Sequence, residues 1–389
     1  MHSKRLLQSF IEEDLSKKMV FVAGPRQVGK TTLAKKILKT KEEGIYLLWD
    51  NRDDRKKILR AEWPAEKATI VFDELHKYRK WKGWLKGEFD KHRDHLNFLV
   101  TGSARMDIYR RGGDSLQGRY HHYRLHPLSI NELLSIIPSI TPGKKLVFSK
   151  SSSRSDLADL LCFSGFPEPL FSGSKKEHRR WQKERLDLFF REDVRDLENI
   201  RDLSSMQIAA DLLPFRVGSK LSLNALREDL EVSHKAINHW MDILERLYFM
   251  FRLRPFTNKT VRGLKKEAKP YLWDWSLVSD PGGRFENLIA SHLLKFCHFL
   301  EDTEGYAVEL FYLRDAQKRE VDFVVTFNRQ PWFAVEAKLS DTAVSPHLRY
   351  FGDRLRTPFL YQVVLETKED VLKDGVRVMP ATTFLSALV

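Results

Sequence analysis

Apolar positions in the first third of the chain fall in short unbroken runs. Met19–Ala23 (MVFVA), Ala68–Phe72 (ATIVF) and Leu96–Val100 (LNFLV) are rich in β-branched and aromatic side chains and do not alternate with polar ones. Such runs predict strands buried on both faces, as in a parallel sheet. A further short strand is expected at His121–Leu125, and Thr32–Leu38 has helical spacing. Beyond Pro127 the pattern turns mainly helical, from Ser129-Ile130-Asn131-Glu132 to about residue 210, with breaks at Pro138–Gly143 and Gly165–Gly173. Leu221-Ser222-Leu223 leads into a short predicted helix, Asn224–Leu230, and a turn at Glu231-Val232-Ser233. A second helix starts at a Ser233 cap, with Ile237, Trp240, Leu244 and Leu247 recurring on one face. Tyr248–Leu253 would begin a β-wing. The last part combines an amphipathic helix, Arg284–Phe296, with strands at Glu320–Phe327 (EVDFVVTF) and Trp332–Leu339 (WFAVEAKL). The pattern predicts an α/β multidomain chain divided into segments 1–128, 129–215, 216–269 and 270–389. No apolar run approaches the ~18–20 residues that span a bilayer. The N-terminus, MHSKRLLQSFIEEDLSKK, is charged throughout and lacks a secretion signal, so a cytoplasmic protein without a membrane partner is expected.

The chemistry concentrates where these elements end. Directly after the first strand stands Gly24-Pro25-Arg26-Gln27-Val28-Gly29-Lys30-Thr31, followed by Thr32 and the helix. This is G-x-x-x-x-G-K-[ST] in its required strand–loop–helix context. The glycines let the backbone wrap so that its N–H groups and the helix N-terminus face phosphates. Lys30 would reach the β- and γ-phosphates of ATP, and the Thr31 hydroxyl would ligate Mg²⁺. The second run ends in Asp73-Glu74, a Walker B pattern, with Asp73 holding the Mg²⁺ shell and Glu74 activating water. The third ends in Thr101-Gly102-Ser103; in the additional-strand P-loop ATPases that these motifs resemble a polar residue here contacts the γ-phosphate or the water, which makes Thr101 or Ser103 the candidate sensor. Arg119, before the fourth strand, is a candidate arginine finger toward a neighbouring subunit, with Arg105, Arg110 and Arg111 competing for the role.

Charge narrows the partner. Of 389 residues, 66 are Lys or Arg and 53 Asp or Glu, a net +13. All of this excess lies in residues 1–150, which hold 31 basic and 18 acidic side chains. An anionic partner is expected on that segment. A local +6 falls over residues 216–269. Here Lys235, Asn238 and His239 stand early on the second helix, and Arg262, Lys265 and Lys266 form a basic loop, so both are candidate DNA contacts. The run from Tyr271 onward is net negative, with 13 basic and 17 acidic residues. Its acids include Glu286 on the helix, Asp322 on one strand and Glu336 on the next. Lys338 stands two residues after Glu336 and so on the same strand face. Only two cysteines, Cys162 and Cys297, exclude a disulfide scaffold or a multi-cysteine zinc cluster.

These residues together resemble the prokaryotic AAA-type ATPases that carry a C-terminal domain of unknown function related to restriction endonucleases. The resemblance rests on GPRQVGKTTLA, VFDELHK, LVTGSAR, GRYHHYRLHPLSINEL, SGFPEPL, REDVRDLENI and the final FENLIA, EVDFVV and VEAKLS segments. It implies a P-loop core of the additional-strand type, a helical lid, a winged helix and a C-terminal PD-(D/E)xK nuclease-like domain. In that last domain Asp322 and Glu336 would hold one or two Mg²⁺ ions, Glu286 would complete the shell, and Lys338 would position water. The expected protein is a Mg²⁺-dependent, homo-oligomeric ATPase that acts on DNA, gripping or cutting structured DNA such as junctions or ends. Two alternatives stand beside it: a nucleotide-gated signalling or defence switch with slow hydrolysis, and a metal-dependent DNA nuclease under ATP control.

Overall fold

The computed structural model describes residues 5–102, 116–149, 154–195, 200, 202–257 and 267–389. They form two compact units, one within residues 4–126 and the other from residue 127 to the C-terminus.

The first unit is a parallel sheet. Its strands are β1 (Met19–Ala23), β2 (Gly44–Leu48), β3 (Ala68–Asp73), β4 (Leu96–Thr101) and β5 (Tyr120–Arg124), in the order β2-β3-β4-β1-β5. All described pairings in it are parallel. Every residue of β1 and β3 is buried, which is why their apolar runs do not alternate. Phe21, Phe72, Phe98, Trp81 and Leu85 fill one core. The edge strand β2 escapes the apolar pattern because Leu47 alone of its five residues is buried. Since β4 lies between β1 and β3, the loop after β1 and the acid ending β3 meet across β4, where Asp73 pairs with Thr101.

The second unit opens with helices. A capping box between Ser129 and Glu132 starts Ile130–Leu134. Helices follow at Arg154–Phe163, Lys175–Leu188 and Leu203–Leu212, with a π-helical stretch, Phe189–Val194, continuing the second of these. The stretch Gly165–Gly173, expected as a break, contains a short helix, Pro167–Ser172. Proline at its first turn and a left-handed Gly173 at its end permit a helix this short. The segment expected as a winged helix contains helices Leu223–Asp229 and His234–Arg246, capped by Ser222 and Ser233. An antiparallel hairpin follows, β6 (Met250–Leu253) with β7 (Lys269–Leu272). A division at 269/270 thus falls inside β7.

The chain ends in a mixed sheet. It consists of β8 (Val308–Arg314), β9 (Glu320–Phe327), β10 (Gln330–Lys338), β11 (Phe359–Val364), β12 (Val371–Lys373) and β13 (Val376–Pro380), in the order β12-β13-β11-β10-β9-β8. β8, β9 and β10 pair antiparallel, whereas β10, β11 and β13 pair parallel. Asn328 and Arg329 link β9 to β10 in two residues, both with positive φ (51° and 66°), the geometry of a type I′ hairpin turn. The preceding helix, Pro281–Glu304, runs further than its apolar face predicts, from an Asp280 cap to a left-handed Gly305. Among the described residues no helix is long and apolar enough to cross a membrane.

Candidate functional site

The loop after β1 is shaped by close approach. A Cβ on Gly24 would lie 2.4 Å from the Leu125 carbonyl oxygen, so only glycine fits there. Gln27 and Gly29 both take positive φ (64° and 101°), and Gly29 caps the helix Lys30–Leu38. The backbone from Gly24 through Pro25, Arg26, Gln27 and Val28 thereby curls over the helix N-terminus, where anions are favoured. The Lys30 side chain is buried and folds back, its ammonium donating to the carbonyls of Gly24 (2.9 Å) and Pro25 (2.8 Å). Thr31 and Thr32 occupy the first turn of that helix.

Asp73 is the centre of a hydroxyl cage. Its Oδ2 accepts from the Thr31 hydroxyl at 2.7 Å and from the Tyr46 hydroxyl at 2.6 Å. Its Oδ1 accepts from the Thr101 hydroxyl at 2.6 Å. The Thr101 hydroxyl, a candidate sensor, therefore rests on Asp73. Burial, and next the bond to Asp73, pushes the Tyr46 phenol up, so it stays a donor. Thr31 Oγ1 and Asp73 offer adjacent hard oxygens, which suits Mg²⁺. Tyr46 lies outside every sequence motif, and its residue type and position in β2 give no signal. Tyr46→Phe keeps the ring under Lys35 (4.5 Å) and removes one hydrogen bond to a charge. The Mg²⁺ concentration for half-maximal nucleotide binding should rise by about tenfold. Metal-free nucleotide binding should change by less than about twofold, since that hydroxyl interacts with Asp73 and Thr31, the pair that would face the metal. A fluorescent-nucleotide titration checks both.

Glu74 follows with a left-handed backbone (φ 58°), an unusual conformation for a residue with a side chain. Its N–H donates to the Thr101 carbonyl at 2.9 Å. Burial raises its pKa, while the charges of Lys30, Lys77 and Arg26 work the other way. These cations therefore surround the same carboxylate. His76 and Lys77 lie 3.5 and 3.8 Å from it.

Arg119 is held in its own chain, where its Nε and one terminal nitrogen donate to Asp90 at 2.7 and 3.1 Å. Ser103, Arg105, Arg110, Arg111, Arg262, Lys265 and Lys266 lie outside the described residues. Lys235 and His239 are exposed, while Asn238 is half-buried and donates to the His234 carbonyl at 3.0 Å. They line a groove of about 950 Å³ together with Asp202 and Asp242, so its charge is mixed.

A second cluster lies in the other unit. The alternation of β10 places Glu336 and Lys338 together, Nζ to Oε1 at 2.9 Å. Asp322 Oδ2 accepts from the Ala337 backbone N–H at 2.9 Å, which ties β9 to β10 where their ladder ends. Burial, then the charge of Asp322, lifts Glu336 and Glu286 each to about 7. Burial also raises Asp322. Glu286 Oε1 accepts from the Tyr271 hydroxyl at 2.7 Å and lies 3.7 Å from the Lys269 ammonium. The four residues expected to act together thus share one neighbourhood, with Lys269 and Tyr271 added. Those two alternate with apolar residues along β7, and a lysine in so apolar a strand is the one signal they leave. Among the described residues, no group of three or more His, Cys, Asp or Glu side chains is placed to hold a metal ion.

A parallel sheet with β4 between β1 and β3, a phosphate loop leading a helix, and an acid pair closing β3 define a P-loop ATPase-like core. Residues 16–134 match the model of a family described as an AAA domain. Residues 154–281 and 281–384 match two families described as domains of unknown function (DUF8612 and DUF4143). An uncharacterised protein of Methanocaldococcus jannaschii is 23% identical over 344 residues, covering 84% of this chain and 76% of its own. An uncharacterised protein of Mycobacterium tuberculosis is 22% identical over 381 residues, covering 95% of this chain and 81% of its own. Among solved structures, a Walker-type ATPase of Pyrococcus abyssi aligns over 72% of this chain and 95% of its own at 12% identity, TM-score 0.45. Thermotoga maritima RuvB aligns over 67% and 92% at 17% identity, TM-score 0.32.

Proposed function

We propose that this chain is a Mg²⁺-dependent ATPase that acts on DNA as a homo-oligomer. The observation that carries the ATPase half is the contact of Thr31 with Asp73, 2.7 Å apart, beside Lys30 and Glu74. Lys30 would leave the Gly24 and Pro25 carbonyls for the β- and γ-phosphates. The loop N–H groups would hold the remaining phosphate oxygens. Mg²⁺, held through Thr31 and Asp73, would neutralise charge on the transferred phosphoryl group. Glu74, its pKa raised by burial, would take the proton of the attacking water. Arg119 of a neighbouring copy would exchange Asp90 for the γ-phosphate. The DNA half is supported by the +13 carried in residues 1–150 and by the exposed Lys235 and His239. ATP turnover measured across single-stranded, duplex and branched DNA, with particle size followed with and without nucleotide, tests both. Turnover indifferent to every DNA would favour the nucleotide-gated switch instead.

The C-terminal cluster supports a second reading, metal-assisted attack on DNA phosphodiesters. Glu336 is 6% exposed, and its Oε2 has no hydrogen-bond partner beside Asp322. A buried acceptor left bare next to a second carboxylate suits a divalent cation. Asp322 and Glu336 would hold it, and Lys338 would stand over the water it activates. Asp322→Ala and Lys338→Ala should each lower nicking of supercoiled and branched DNA by at least about 100-fold, the scale of losing general-base or charge-stabilising groups. Nicking that persists in both variants would assign the cleavage to a contaminant.

A further inference from the structure

Lys269 is 2% exposed inside a group of carboxylates. It comes from β7, the strand that completes the hairpin behind the paired helices, and not from the mixed sheet. Its ammonium lies 2.5 Å from Glu320 Oε1 and 3.7 Å from Glu286 Oε1, and it also interacts with the charge of Asp322. Tyr271, two residues along and so on the same strand face, donates to that same Glu286 oxygen at 2.7 Å. Backbone closes the remaining side: a Cβ on Gly218 would stand 2.8 Å from both Glu286 oxygens. Glu286 is thus enclosed by a phenol, an ammonium and a backbone segment, all from its own chain. Glu336 differs: Lys338 takes its Oε1 at 2.9 Å, and its buried Oε2 has no hydrogen-bond partner.

We infer that the C-terminal cluster takes one divalent cation, on Asp322 and Glu336, and that the Lys269 ammonium stands where a second would lie, with Glu286 and Glu320 as its counter-ions. The inference rests on reading the cluster as a cation site. Two-metal phosphodiester sites place their ions about 3.5–4 Å apart, bridged by shared carboxylates. Here the third carboxylate is committed to a fixed positive charge, and that charge repels a further cation. Glu286 is then a positioning residue for Lys269 and outside the metal shell that its place in the sequence pattern suggests. The phosphodiester reaction this supports uses a single metal, with Lys269 and Lys338 supplying the remaining positive charge.

Mn²⁺ binding to the full chain, followed by the electron-spin resonance of free Mn²⁺ without nucleotide, tests this. All proteins carry Asp73→Asn, so that the phosphate-loop site contributes little. The parent should bind one Mn²⁺ per chain, and adding Asp322→Asn should abolish it. Adding Glu286→Gln, nearly isosteric, should leave the dissociation constant within about threefold. Adding Lys269→Met should admit a second Mn²⁺ or tighten the first by about tenfold or more. If that variant does not fold, the Glu286→Gln result decides alone. Two Mn²⁺ in the parent, or tenfold weaker binding in Glu286→Gln, would overturn the single-cation assignment while leaving the cation site standing. Equal binding by the parent and Asp322→Asn would remove the cation site itself.

Discussion

Lys30→Ala is expected to weaken ATP binding by roughly 100-fold or more, about 3 kcal/mol, the scale of removing one partner of a buried charged contact. The stem of this lysine begins at the helix N-terminus and its ammonium lies within the loop, on the Gly24 and Pro25 carbonyls. Alanine leaves those carbonyls able to take water and leaves the loop backbone, shaped by Gly24 and Gly29, unchanged. The loss should therefore appear in affinity, with the thermal midpoint of the nucleotide-free chain shifted by only a few degrees, as for a modest change in stability. Equilibrium binding of a fluorescent ATP analogue reads the first, and calorimetry the second. Binding within threefold of the parent would mean that Lys30 does not reach phosphate.

Glu74→Gln should separate binding from turnover. The amide keeps the shape of the side chain and its left-handed backbone, so ATP affinity should stay within about threefold, while kcat falls by about 10²–10⁴-fold, the usual contribution of a general base. The pH profile adds a second reading. Burial raises the Glu74 pKa from its ordinary value. A base works only when deprotonated, so the parent's kcat should fall on acidification through that raised value. Glutamine has no such ionisation, and its residual rate should lose that limb. Normal hydrolysis by Glu74→Gln would place the base elsewhere.

Much of the first unit was legible because its constraints are local. An apolar run, a glycine-rich turn and a lysine at a helix start must be adjacent in sequence to work at all. β2 stayed hidden for the opposite reason: an edge strand with one buried residue has little pattern to show. Tyr46 stayed hidden with it, since its part is played across the sheet on Asp73 of β3. In the second unit the strands β9 and β10 were readable as short, largely apolar runs, and the Glu336–Lys338 contact followed from the period of two. Tyr271 and Lys269 were not readable, because they reach Glu286 and Glu320 from a different hairpin. The helix from Pro281 to Glu304 was underestimated although both ends are marked, by Asp280 and by Gly305. Its amphipathic face fades before its caps do.

The strand β7 serves two neighbours at once: it closes the hairpin with β6, and it carries Lys269 and Tyr271 to the carboxylates. That double duty sets where the chain can be recombined. A chimaera joined within residues 269–272 would inherit its helix pair from one parent and its acids from another, with mismatched counter-charges in between. A donor segment carrying the helix pair, β7 and the C-terminal sheet together moves as a single heritable block.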